Sequence, residues 1–115
     1  VPPRALAAAA ARTYGPATIL VEPAAVPGAP LAASVLALPA GARVAEHEHA
    51  HETELLYVLE GAGQMTVAGV TLPVGPTSVV QIPKHTRHAF TASAAVRAVQ
   101  IYTPAGPEQR FKAPR

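Results

Sequence analysis

From residue 17 onward the chain is a series of short β-branched or apolar runs cut by proline and glycine, and this pattern limits the fold more than any other feature. The runs are ATILVE (17–22), LAASVLAL (31–38), ELLYVLE (54–60), QMTVAG (64–69), TSVVQI (77–82), HAFTA (88–92) and AVRAVQIYT (95–103). Each has the length and side-chain type of a strand rather than of a helix. Most of the 13 prolines and 8 glycines fall between the runs, in PAAVPGAP, PAGA, EGAGQ, PVGP and TPAGP, where turns need a fixed or positive φ. The expectation is an all-β sandwich or barrel.

A chain of 115 residues has room for one such domain. The opening VPPRALAAAAAR has helix propensity, but an isolated helix under a dozen residues is marginal in water. Residues 1–16 are therefore read as an N-terminal arm, and residues 17–115 as a single barrel domain. Several strands are apolar on both alternating sets: Leu55, Tyr57 and Leu59 on one side of ELLYVLE, Leu56 and Val58 on the other. An antiparallel sheet normally shows one face to water, so a second copy of the same sheet is expected to cover the outer face, giving a homodimer.

The charge balance narrows the partners. A net charge of +2, with acids and bases interspersed until the basic end RFKAPR, gives no dense patch for phosphate backbones, so no nucleic-acid partner is expected. No apolar run approaches the roughly 20 residues that span a bilayer, so no membrane partner is expected either. Zero cysteines exclude disulfides, thiolate ligands and cysteine nucleophiles together. A cytoplasmic location is slightly favoured, and the start at Val1 leaves export after leader removal open.

Against this apolar background EHEHAHETE (46–54) places three histidines and four glutamates in nine positions. In an extended strand residues i and i+2 point the same way, so His47 and His49 share a face while Glu46 and Glu48 point away. Glu54 and His88 are the candidates to complete a chelating set from neighbouring strands. Three imidazoles and a carboxylate suit one divalent transition metal ion: Fe, Mn, Ni, Cu, Co or Zn. His51 and His85 are expected outside that set, on the rim or exposed. Glu46, Glu48 and Glu52 are read as solvated flanking charges. Phe90, two residues beyond His88, is expected to point inward, whereas Gln100 and Tyr102 share a face that alternation alone assigns to neither side.

The stretch GARVAEHEHAHETELLYVLEG resembles the first motif of the cupin family: Gly, five residues, His-x-His, four residues, Glu, six residues, Gly. Gly41, His47, His49, Glu54 and Gly61 all meet it. TSVVQIPKHTRHAF resembles the second motif, in which Pro83 is followed five residues later by the last metal histidine, His88. It departs from that motif at Thr77 and His85, where glycines are usual, and it lacks the final Asn. The resemblance implies a double-stranded β-helix, a jelly-roll barrel with the metal inside its mouth, held by His47, His49, Glu54 and His88. It also implies a small-molecule ligand or substrate. The leading reading is a metal-dependent enzyme with oxygenase-like or Lewis-acid chemistry, possibilities that include a dioxygenase, an isomerase or a lyase. The alternative is a non-catalytic binding module in which the metal holds a ligand or the fold. A sensor within a larger regulator is disfavoured, because no DNA-binding segment is attached.

Overall fold

A computed structural model describes residues 11–112 apart from Ala25. Ten strands form two antiparallel sheets that face each other: β1 (Arg12–Tyr14), β2 (Ala17–Val21), β3 (Ala32–Leu38), β4 (Arg43–His47), β5 (Thr53–Glu60), β6 (Gly63–Val67), β7 (Val70–Val74), β8 (Val79–Ile82), β9 (His88–Ala92) and β10 (Val96–Thr103). The larger sheet runs β1-β2-β3-β10-β5-β8 and the smaller β4-β9-β6-β7. A 3-10 helix, Pro107–Lys112, follows the last strand. This is the jelly-roll architecture expected from the sequence.

Seven of these strands coincide with the seven runs. The other three, β1, β4 and β7, lie in segments too polar or too short to stand out. β7 even carries a proline, Pro73, which is tolerated because β7 is an edge strand. Of the stretch read as an N-terminal arm, residues 1–10 lie outside the described residues. Its end forms β1, which pairs with β2, so the sheet takes in residues ahead of position 17.

Alternation decides what each strand buries. On β10, Val96, Ala98, Gln100 and Tyr102 are buried while the residues between them are not. On β5 the buried set is Glu54, Leu56 and Val58. The two sets meet across the ladder, where Tyr102 pairs with Glu54, Gln100 with Leu56 and Ala98 with Val58. Phe90 points inward, opposite Met65 on β6 and Val44 on β4. Leu56, Val58, Met65, Phe90, Val96 and Ala98, with Leu36 and Val74, form the hydrophobic core between the sheets.

The outer face of the larger sheet stays apolar and open in the single chain. Tyr57 and Leu59 are each 38% exposed, and Val79, directly opposite Tyr57, is 62% exposed.

Candidate metal centre

The two sequence motifs meet at one point between the sheets. β4 delivers His47, and the residues just after it, no longer paired, deliver His49. β5 opens with Glu54 and β9 begins with His88. A register shift between Val44 and His47 sets His47 directly across from His88, a use of a β-bulge to re-aim one side chain. Their imidazole centroids are 4.2 Å apart. One ligand atom from each of His47, His49, Glu54 and His88 lies within 4.8 Å of all the others.

Two of the imidazoles are oriented by the same backbone device. His47 Nδ1 donates to the carbonyl of Ala45 at 2.7 Å, and His88 Nδ1 donates to that of Thr86 at 2.9 Å. Each bond fixes the tautomer in which Nε2 carries the free lone pair, as a metal-binding histidine requires. Both Nε2 atoms are buried without a hydrogen-bond partner among the described residues. His88 Nε2 does lie 3.3 Å from Glu54 Oε1, but outside hydrogen-bonding geometry. Buried unpaired nitrogens are costly, and a metal ion held by these imidazoles would remove that cost. The donor set therefore fits a divalent transition metal.

Glu54 supplies the only carboxylate of the cluster and is almost wholly buried. Burial alone would raise its pKa. Hydrogen bonds from His49 (Nε2 to Oε1, 3.2 Å) and Gln100 (Nε2 to Oε2, 2.9 Å), together with nearby His88, outweigh burial and bring it down to about 2. It is thus an anion at neutral pH. His47 has its pKa lowered, chiefly by burial. For His88 burial also lowers the pKa, but the Glu54 carboxylate beside it and the Thr86 carbonyl outweigh that and raise it. Tyr102 is pushed well above the ordinary phenol range by burial and by the Glu54 charge, and keeps its proton.

Gln100 and Tyr102, whose face alternation left undecided, point inward, and Gln100 holds the second oxygen of Glu54. His51 and His85 are exposed and outside the cluster. Glu46 and Glu48 flank Arg87 at 3.0 and 3.6 Å on the surface. Sequence reasoning missed Arg110: RFKAPR was read as a basic end, yet its first residue lines the cavity beside the cluster. That cavity, about 370 Å³, is walled mainly by aliphatic side chains and Phe90.

A family model described as the cupin domain matches residues 34–112, which include both motifs. The chain belongs to the cupin family. Its fold is shared with KdgF from a Halomonas species (TM-score 0.72, 21% identity, 81% of each chain covered). It is shared also with a predicted oxalate decarboxylase from Thermotoga maritima (TM-score 0.69, 20% identity, 76% of this chain and 78% of that one). Ectoine synthase from P. lautus is similar too (TM-score 0.72, 20% identity, 84% of this chain and 69% of that one). No curated protein matches the sequence. Such neighbours carry the fold, while cupin barrels host unrelated chemistries.

Proposed function

We propose that this cupin holds one divalent transition metal ion through His47, His49, Glu54 and His88 and acts on a small organic molecule lodged in the adjoining cavity. The observation that carries the reading is the convergence of the four donors around two buried, unpartnered imidazole nitrogens. When bound, such an ion supplies Lewis acidity toward a substrate oxygen and, for Fe, Mn or Cu, redox chemistry with dioxygen. The chain's own part is distinct. Gln100 fixes the free oxygen of Glu54, the backbone carbonyls hold two imidazoles in the ligating tautomer, and Leu36, Leu56, Met65 and Phe90 exclude water from the cavity.

A second reading, a binding module without turnover, is favoured by one feature. Apart from His47, Glu54 and His88, the only polar side chains lining the cavity among the described residues are Arg43, Gln100 and Arg110, none of them an ordinary proton-transfer group. Glu54→Gln keeps the size and removes the charge, and should lower metal affinity about 10-fold or more. Parent and variant, each saturated with Fe, Mn, Ni or Zn, are then screened for oxygen uptake and for consumption of diketones, catechols, hydroxy acids and sugars. Turnover by the parent that the saturated variant loses supports the enzyme. Saturable binding with no turnover in any metal form moves the reading to the module.

For assembly we propose a homodimer formed on the outer face of the larger sheet, supported by exposed Tyr57, Leu59 and Val79. Light scattering at micromolar concentration should give twice 11.8 kDa, and Tyr57→Glu should return the monomer. A monomeric parent overturns it.

A further inference from the structure

Three of the seven cations among the described residues are neutralised in place. Arg87 pairs with Glu46 and Glu48, Arg97 with Glu60, and Lys112 with Glu22. Arg110 forms no ion pair among the described residues. It lines the apolar cavity and also the neighbouring surface cleft formed by His47–Ala50, Glu52, Gly106 and Pro107. His47 and Arg110 are common to both linings, so the cavity adjoins the cleft where these two residues lie. The Arg110 Nη2 donates a long hydrogen bond to the Tyr102 hydroxyl at 3.4 Å, and its guanidinium carbon lies 4.9 Å from the Phe111 ring centroid.

The element carrying Arg110 is fastened on either side of it. Glu108 is buried and accepts the Gly106 N–H at 2.6 Å, Gln109 donates to Glu22 at 2.9 Å, and Lys112 pairs with the same Glu22. A cation held in place beforehand loses less freedom when it binds an anion than one on a loose loop. Its planar fork matches a carboxylate bidentately, whereas a phosphate would call for more donors than one arginine at this end of the cavity.

We infer that Arg110 receives the carboxylate of a small monoanion whose apolar body fills the cavity, so that the ligand class of this site is short aliphatic or aromatic carboxylic acids. The inference deepens the metal reading and rests on it in part. Buried Glu54 would repel such an anion, while Arg110 and a divalent ion together outweigh that single negative charge. Arg43, four residues before His47 on β4, is the other cavity-lining cation without an ion pair among the described residues and is the natural competitor.

The test is calorimetric titration of 4-methylpentanoate and of 4-methylpentan-1-ol, alike in carbon skeleton, into parent, Arg110→Gln, Arg110→Lys and Arg43→Gln proteins, each with and without saturating Zn²⁺. The acid should bind the zinc-loaded parent at least about 10-fold more tightly than the alcohol. Arg110→Gln should remove about 10-fold of acid affinity and leave the alcohol unchanged, Arg110→Lys should recover part of it, and Arg43→Gln should behave as the parent. Equal acid binding by parent and Arg110→Gln, loss caused by Arg43→Gln instead, no preference for the acid, or no binding of either probe overturns the assignment. Titration of Zn²⁺ alone separates the two readings. If zinc binds and the acid ignores Arg110, only this inference fails. If zinc does not bind, the metal reading fails, and the metal-free titrations of parent and Arg110→Gln still decide Arg110.

Discussion

The two cupin motifs make the same kind of turn with different residues. In the first, Gly41 and Gly61 hold φ of 84° and 92°. In the second, Thr77 and His85 stand where glycines are usual, and their backbones are left-handed all the same, at 70° and 62°. Side chains in that region cost roughly 1–2 kcal/mol each, and a β-branched residue such as Thr77 fits worst. The turns persist because long-range bonds demand them: Thr77 N–H donates to Val58 O at 2.8 Å, and His85 N–H to His49 O at 2.7 Å. The tertiary frame sets these backbones, and residue choice sets only how much strain they carry. The second bond also ties the loop that ends in His88 to the loop that carries His49.

The first motif contributes three proposed ligands and the second one, so the sharpest challenge to the comparison is to remove the lone one. His88→Ala should weaken metal binding by about 100-fold or more, as much as His47→Ala does, read by competition with a chromogenic chelator. Retention of affinity by His88→Ala would make the second motif dispensable.

Next in size is Gly61→Ala. Besides the positive φ, a Cβ there runs into the carbonyl oxygen of Ala95, so about 2 kcal/mol or more of stability should be lost in urea unfolding. A loss no greater than that of Gly41→Ala, where a Cβ meets nothing within 4 Å, would mean the close approach is relieved.

The motifs should also titrate oppositely in the metal-free protein. His47 has a lowered pKa, so its contribution to stability is present above the ordinary 6.5 and is lost as pH falls through its folded value. His88 has a raised pKa, so its contribution is present below 6.5 and is lost as pH rises through its folded value. NMR titration should find His88 holding its proton to higher pH than His47, and the reverse order would sink the assigned environments. Glu54, brought down from 4.5 to about 2, stabilises fully above about 4.5 and loses that effect as pH falls toward 2.

The smallest effect is a gain. Thr77→Gly and His85→Gly should each stabilise by up to about 1 kcal/mol, because relief of left-handed strain slightly exceeds the added freedom of the unfolded chain. Destabilisation by both would show that the side chains, not the backbone bonds, hold these turns.

Much of this was written locally. Runs of β-branched residues between Pro and Gly made the sheets legible, because strand preference and turn chemistry act over a few residues. The spacing of His47, His49, Glu54 and His88 marked the donor set, and the i, i+2 geometry of an extended chain explains why the first two converge. Other features depended on contacts between distant residues. Alternation repeats every two residues and does not say which face is inside, so only the pairing of β10 with β5 turned Gln100 toward Glu54. β4 and β7 were too polar or too exposed to read as strands until their neighbours paired with them. Arg110 reaches the cavity from 56 residues beyond Glu54 because Glu22, Gln109 and Lys112 draw the final helix back onto the sheet. No local pattern encodes that approach, since its position comes from packing and not from chain spacing.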